Sequence, residues 1–343
     1  MEKKIKIGIL GCAKIAEKYA IKALQAIKNV KVVSIASRDP AKAKEWAGRF
    51  GIRSIDSYGS LILNREINAV YVPLPIGLHE EWILKAAAAK KHVISEKSLA
   101  DNFASAKKIV TACQKNNVVL YENFMCDFHP QHQAVLDLIK KGEIGKPFIF
   151  YSSFGIPPRD KHDIRYDKKL GGGALNDIGA YTIFMARKIL RNEPLTVDAT
   201  LYRNKVDGVD LKGAILLKFP NEILAMLAFS FDAIYQNNYS VWGNKGLIKT
   251  EMAYSIPPDL KPTVRLITNE NLKRTISDIE LDIPAANHFE IIFQDFCDTV
   301  LNQQQRTGKI NWIYSNLLNQ AKVMEAIRIS SKENRIVNLS EIN

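Results

Sequence analysis

Through residue 122 the chain alternates short apolar, β-branched runs with amphipathic stretches of ten or more residues, a rhythm that a helix-covered parallel sheet accepts and few other folds do. Residues 5–10, 30–36, 69–72, 92–95 and 118–122 read as strands. Helices are expected from the turn after Leu10 to about residue 27, and over 40–50, about 79–89 and about 103–116. Parallel neighbours need crossovers of this length, so the segment predicts a doubly wound α/β sheet.

Past residue 123 the pattern changes. A helix is expected at 131–141 and a strand at 148–155, followed by a basic loop, a run of glycines and a further helix. Strand-like runs at 197–202, 211–219, 223–231, 239–242 and 247–251 are separated by short turns such as PNE and GNKG, the signature of hairpins in a largely antiparallel sheet. Late helices are expected at about 287–303 and 312–330. At 343 residues the chain exceeds one ordinary core. We therefore expect a Rossmann dinucleotide-binding domain over 1–123 and a substrate-binding and oligomerisation α/β domain over 124–343, with an open, mostly antiparallel sheet and a cleft between the two.

Composition narrows the function. No run reaches the roughly 18 apolar residues of a membrane span. Lys6 and Gly8 interrupt the apolar N-terminus, which predicts no secretory signal. The four cysteines are scattered without metal-ligand spacing, so the cytoplasm is the expected compartment. His79, His129 and His132 lack a carboxylate partner set, and no metal is expected. The formal charge of +12 is spread at helical spacing, without aromatic-basic interleaving. That predicts a solvated surface able to steer a phosphorylated ligand, and no nucleic-acid or membrane partner.

The turn after the first strand, Gly11-Cys12-Ala13-Lys14-Ile15-Ala16, fits a dinucleotide turn: Gly11 bends the chain and small residues let backbone approach a pyrophosphate at a helix N-terminus. The second strand ends in Ala36-Ser37-Arg38, with Lys42 one turn on, where an NAD enzyme usually places an acid. Ser37 and Arg38 suit a 2′-phosphate and favour NADP over NAD, against which stands only Asp39. Pro73 and Leu74 end another strand and lead to His79. Glu96 and Lys97 lie at the carboxyl end of the strand at 92–95, the edge where such sheets bind ligands. In Gly171-Gly172-Gly173-Ala-Leu-Asn-Asp177-Ile-Gly-Ala-Tyr181 the glycines permit close backbone approach, and a carboxylate and a phenol four residues apart share a helix face as a candidate acid/base pair.

Taken together, GCAKIA, VPLPIGLH, HVISEKSL, ENFMCDFHPQH, GGGALNDIGAY and NHFEIIFQDF resemble, in order and over essentially the whole chain, the motifs of the Gfo/Idh/MocA oxidoreductase family. The resemblance implies NAD(P)-dependent hydride transfer at a hydroxyl or carbonyl of a sugar or cyclitol. It implies that Lys97, Asp177 and Tyr181 are catalytic; Asn123 is expected near the substrate, and Arg165 and Tyr166, just before the glycines, are expected either to reach substrate or to brace the loop. It also implies a homodimer or homotetramer through the C-terminal sheet.

Departures are Ser98 for the family's proline, Ala13 for glycine, Ile76 for asparagine and Cys126-Asp127 for Tyr-Arg, which point to an altered pocket. Tyr181 in place of histidine, with the GCAKIA turn and Ser37-Arg38, looks most like the members related to glucose-fructose oxidoreductase and to the sugar ketoreductases of deoxysugar biosynthesis, so a sugar substrate is expected, with a nucleotide-linked keto-sugar among the candidates. On that reading the Lys97 ammonium stabilises the developing alkoxide, and Tyr181 is suited to donate the proton, the alternative being that it only holds the sugar. Asp177 orients one of them or holds a substrate hydroxyl, and Glu96 serves the nicotinamide side or supports Lys97. A sugar, cyclitol or dihydrodiol dehydrogenase working oxidatively is the alternative within enzymes, and a non-catalytic NAD(P)-binding regulator the alternative outside them.

Overall fold

The computed structural model describes residues 4–206, 208–269, 276–302 and 306–343, so residue 303 at the end of one expected helix lies outside the described residues. The chain divides into two compact units, one of Met1–Met125 with Phe289–Ala321 and one of Cys126–His288 with Lys322–Asn343.

The first unit opens with β1 (Ile5–Leu10), a π-helical turn over Ala16–Ala20 and α1 (Ile21–Ala26). There follow β2 (Val30–Ala36), α2 (Pro40–Phe50), β3 (Arg53–Ile55), α3 (Tyr58–Leu63) and β4 (Ala69–Val72). α4 (His79–Ala88), β5 (His92–Ser95), α5 (Phe103–Asn116) and β6 (Leu120–Glu122) complete the alternation. The strands form one parallel sheet in the order β3-β2-β1-β4-β5-β6. Strands covered on both faces read as continuous apolar runs, and Ile7, Ile9, Val70, Val72, Val93 and Ile94 are all fully buried. Sequence reasoning passes over β3 and α3 because they are short. α3 is nonetheless capped by Ser57, whose Oγ accepts from Ser60 N–H at 3.0 Å, and it buries Tyr58, Leu61 and Ile62.

α8 (His288–Leu301), which a boundary at residue 123 leaves with the second domain, packs on the first sheet. Phe289 stacks on Tyr19 at 5.3 Å, and Phe293 and Phe296 meet Tyr71 and Tyr121 edge-on at 5.5 and 5.4 Å. Tyr121 also donates to Asp295 at 2.8 Å.

The second unit holds α6 (Pro130–Lys141), β7 (Pro147–Gly155), α7 (Ala180–Leu190), β8 (Thr196–Arg203) and β9 (Asp210–Lys218). β10 (Leu224–Ser230), β11 (Gln236–Gly243), β12 (Gly246–Glu251), β13 (Val264–Asn269) and β14 (Ile276–Leu281) follow. α9 (Arg306–Glu333) and β15 (Val337–Asn338) end the chain. α9 begins a turn and a half before the expected start, because Gly308 reads as a breaker that the helix tolerates.

The sheet runs β14-β13-β12-β11-β7-β10-β9-β8-β15. It is antiparallel in its described pairs except at the centre, where β7 and β10 run parallel. One face is buried, with Phe150, Phe154, Leu227 and Phe229 at most 5% exposed and α7 packed on β7 and β10. From the other face Tyr151, Leu216, Met226 and Trp242 project 37–48% exposed.

Candidate active site

The first unit gathers most of the expected cofactor residues at the carboxyl edge of its sheet. Gly11 has φ +113°, and a Cβ there would lie 3.0 Å from the Leu74 side chain, so only glycine makes this turn. Its N–H donates to the Ala36 carbonyl at 2.8 Å, which ties the turn to the end of β2. Cys12, Ala13 and Ile15 are partly exposed and Lys14 fully so, leaving the turn open to a ligand. Burial, opposed by a bond from Ser37, pushes the Cys12 thiol up and keeps it protonated.

The end of β2 settles what Asp39 does. Its Oδ1 accepts from Ala41 N–H at 3.0 Å and Lys42 N–H at 3.2 Å with Pro40 at the first helical position, so the carboxylate is spent as the N-cap of α2. Ser37 is half-buried and accepts from the Asp39 N–H at 3.1 Å. Arg38 and Lys42 are exposed beside it, with the Lys42 ammonium 5.5 Å from the Trp46 ring. The edge therefore leaves the Arg38 and Lys42 cations exposed beside Ser37, with the Asp39 carboxylate already committed to α2. Tyr58, which no sequence motif singles out, brings its hydroxyl within 3.7 Å of where a Gly11 Cβ would lie, and its ring meets Trp82 edge-on at 5.0 Å.

At the end of β5, Glu96 and Lys97 are half-buried, and the Lys97–Ser98 peptide is cis. Glu96 Oε1 accepts from Tyr71 Oη at 2.7 Å and from Asn123 Nδ2 at 2.6 Å. Burial nevertheless pushes the carboxyl above its ordinary range. Asn123, expected near the substrate, is fully buried and committed to Glu96, because it follows β6 directly and lies against the end of β5. Pro73 and Leu74 are buried at the end of β4. His79, expected at the cofactor, lies behind that edge rather than on it. Its ring has no exposed surface and both nitrogens face main-chain carbonyls.

In the second unit the glycines answer to their own fold. A Cβ on Gly172 would lie 2.5 Å from the Arg165 carbonyl oxygen and 2.8 Å from that of Asp167, and one on Gly173 (φ +129°) would collide with the Asp210 carboxylate. Gly172 and Gly173 thus accept the preceding loop and Asp210, so the close approach that the glycines permit is, at these two positions, that of the protein's own chain. Asp210 Oδ2 in turn accepts from Leu175 N–H at 2.6 Å and anchors the first turn of the helix. That turn, Leu175–Gly179, is π-helical, as is the turn after the dinucleotide loop. Arg328 Nη2 donates to Asn176 Oδ1 at 2.7 Å while Asn176 Nδ2 donates to the Gly171 carbonyl at 3.0 Å, so α9 braces the glycines.

Asp177 receives Arg165 Nε at 2.6 Å, and Arg165 also reaches Asp163 at 3.1 Å. The two carboxylates raise the Arg165 pKa, Asp177 foremost. The structure therefore joins two of the expected substrate residues directly. Tyr166 accepts from Arg159 N–H at 3.1 Å and braces the loop with its ring against Phe231. The Tyr181 ring, 6% exposed, is held between Phe154 at 5.6 Å and Tyr254 at 5.8 Å. The Tyr254 hydroxyl is fixed by Ser152.

The histidines of the HPQH stretch are internal. His132 lies 2.9 Å from Tyr239 Oη and 3.0 Å from the Ala253 carbonyl, and His129 Nδ1 accepts from Gln131 N–H at 3.3 Å as the cap of α6. Asp127 of the altered Cys-Asp pair is neutralised by Lys188. Among the described residues no cluster of histidine, cysteine and carboxylate could hold a metal ion, and no helix is long and apolar enough to cross a membrane.

Comparison with known proteins gives this geometry a context. Residues 5–124 match the oxidoreductase family's NAD-binding Rossmann fold, and residues 132–249 match the GFO/IDH/MocA C-terminal domain. A dTDP-3,4-didehydro-2,6-dideoxy-alpha-D-glucose 3-reductase of Saccharopolyspora spinosa is 40% identical over 78% of this chain and 80% of its own. The enzyme of the same name from Actinomadura kijaniata is 34% identical over 96% of both chains. A crystal structure of a 3-ketoreductase from Actinomadura kijaniata, in complex with NADP and TDP-benzene, superposes with a TM-score of 0.89 at 34% identity, covering 96% of this chain and 98% of that one.

Proposed function

This chain belongs to the Gfo/Idh/MocA oxidoreductase family, and from that premise we propose that it is an NADPH-dependent ketoreductase acting on a nucleoside-diphosphate-linked keto-sugar. The observation that carries the cofactor choice is the end of β2, where Asp39 is consumed as a helix cap and Ser37, Arg38 and Lys42 remain for a 2′-phosphate. Gly11 and the turn to Ile15 would hold the pyrophosphate. NADPH, when bound, supplies the hydride.

The chain's own groups do the rest. Lys97 stabilises negative charge on the carbonyl oxygen as it develops, and Tyr181, its ring fixed by Phe154 and Tyr254, supplies the proton. Asp177, held by Arg165, accepts from a sugar hydroxyl. The loop with Arg159, Lys161, Lys168 and Lys169 exposed supplies cations suited to a diphosphate. Likeness to dTDP-keto-sugar 3-reductases favours reduction at the sugar's third carbon.

We further propose that the first unit binds the dinucleotide and the second binds the sugar nucleotide. The protein pairs through the open sheet face of Tyr151, Leu216, Met226 and Trp242 into a homodimer or homotetramer, and works in the cytoplasm, where its four free cysteines stay reduced. Sedimentation at the mass of a single chain would rule out the pairing.

The function is tested by following NADPH consumption with dTDP-linked keto-sugars, free keto-sugars and cyclitols. Turnover confined to the dTDP-linked compounds is expected, and activity only on free sugars with NADP⁺ as oxidant would overturn the assignment. Arg38→Ala should raise the Kd for NADPH by about 10-fold or more while leaving NADH within about 3-fold, as expected for loss of one charge-assisted pair. Equal losses for both cofactors would remove the 2′-phosphate site.

A further inference from the structure

His79 has the geometry of a group that acts on its surroundings rather than on a ligand. It begins α4 and is fully buried, with Nε2 2.8 Å from the carbonyl oxygen of Leu74 and Nδ1 3.0 and 3.2 Å from those of Ser98 and Leu99. Ser95 Oγ lies 3.3 Å from Nδ1. Leu74 follows β4 and lies against Gly11 of the dinucleotide turn, while Ser98 is the residue next to Lys97.

Buried carbonyls left without donors cost free energy, and these loops leave β4 and β5 at neighbouring points of the same edge, beyond the end of the ladder that joins the two strands. Leu99 N–H is taken separately by Glu122 at 2.7 Å, so the loop after Lys97 has its donor anchored on β6 and its carbonyls on His79. Burial holds the imidazole below its ordinary pKa against the opposing pull of the Leu74, Leu99 and Ser98 carbonyls, and the Lys97 ammonium adds to the lowering. Near neutral pH the ring is uncharged and carries a single N–H, so it donates to one side at a time, Leu74 or the Ser98 and Leu99 carbonyls, and wedges against the other.

We propose that His79 is a positioning residue: one buried imidazole ties the loop that carries Lys97 to the loop that supports the dinucleotide turn, fixing where the Lys97 ammonium stands relative to the cofactor site. The two ring nitrogens divide this work. Nδ1 faces the Lys97 side and Nε2 the Leu74 side, and whichever carries the proton makes the hydrogen bond while the other makes the contact, so the two sides separate in substitutions of different length. In His79→Asn the shorter amide would stand where Nδ1 lies, and in His79→Gln the longer one would reach the place of Nε2. The inference rests on the assignment of Lys97 to the reacting oxygen.

The experiment compares His79→Ala, His79→Asn and His79→Gln for kcat and for NADPH Kd, in the parental chain and in a Lys97→Ala background, with thermal melts to confirm folding. His79→Ala should lower kcat by up to about 100-fold, the effect of a displacement on the order of 1 Å at the reacting centre. His79→Asn should recover most of kcat, and His79→Gln should recover NADPH binding but not kcat. In the Lys97→Ala background the His79 substitutions should cost little further, because a residue that works through Lys97 has nothing left to position.

An equal loss in both backgrounds, or rescue of kcat by the glutamine variant rather than the asparagine one, would overturn the proposal. Should His79→Ala not fold, the order of the other two variants decides alone. A Lys97→Ala enzyme that turns over at the parental rate would instead remove the assignment of Lys97, a result distinguishable from the failure of His79.

Discussion

Replacing Lys97 with alanine is expected to lower kcat for keto-sugar reduction by about 10²–10³-fold, the range found when one preorganised stabiliser of an oxyanion is lost. Lys97 follows β5 at the ligand-binding edge of a parallel sheet, on a loop held by Glu122 and His79. Its partial burial strengthens any field it exerts on the carbonyl oxygen. Because that charge appears only as the hydride arrives, the loss should fall on kcat, while NADPH Kd moves by no more than about 3-fold. Lys97→Arg keeps the charge but spreads it over a wider plane, and is expected to recover little. Tyr181→Phe removes only the hydroxyl from a ring seated between Phe154 and Tyr254, so a fall in its kcat reports proton supply rather than packing. Stopped-flow NADPH oxidation under single-turnover conditions reads these effects on the chemical step. A Lys97→Ala enzyme with unchanged single-turnover rate would require another group to stabilise the oxyanion.

How far the sequence foretells this site depends on how local each signal is. The first sheet is legible because β-branched runs and amphipathic helices alternate at regular intervals, and β1, β2, β4 and β5 fall where that rhythm puts them. β3 and α3 are too short to carry a period, so Tyr58 beside the dinucleotide turn stays hidden with them. β13 and β14 escape notice in a stretch rich in charge and proline, where pairing with β12 and not local propensity makes the strands.

Site chemistry shows the same division. Gly11 is readable from its turn, a local demand. What Gly172 and Gly173 accommodate, the Arg165 and Asp167 carbonyls and the Asp210 carboxylate, is known only once distant chain folds back on them. Asp39 counts as evidence for NAD until its carboxylate is found capping α2. His79 and Asn123 read as ligand contacts because their motifs sit near a ligand edge. Each proves to be one layer deeper, where a side chain fixes a neighbour instead of a substrate.

The second large effect concerns acid. His129, His132 and His288 are at most 1% exposed in the second unit, and the rings of His129 and His288 meet edge-on at 6.1 Å. Burial lowers His129 to about 4 and, helped by His129, lowers His288 to about 3. His132 is pushed down well below its usual value, first by burial and then by the Lys188 ammonium and the two neighbouring imidazoles. Tyr239 Oη and the Ala253 carbonyl occupy its nitrogens, and Asp127, two residues before His129, is already paired with Lys188.

A histidine whose folded pKa is depressed gives its full stabilisation above the unfolded value of about 6.5. Below that pH the unfolded chain binds protons that the folded chain refuses. Each such group then costs up to about 1.4 kcal/mol per pH unit until its folded pKa is reached. Three together approach a whole domain's reserve of about 5–15 kcal/mol within two units. Asp210 and Glu96, whose carboxyls burial raises, titrate in the opposite sense, but His79, lowered in the first unit, adds to the histidine side. The surface carboxylates that hydrogen bonds and ion pairs lower, such as the half-buried Glu66 and the exposed Glu341, release their contribution only below about pH 4.5. Between pH 7.5 and 5 the histidines therefore dominate. Urea midpoints should fall steeply over that interval, and His288→Gln, which removes one of the four lowered rings, should flatten the fall by roughly a quarter. A midpoint at pH 5 equal to that at pH 7.5 would mean that these rings reach solvent and take up protons in the folded chain.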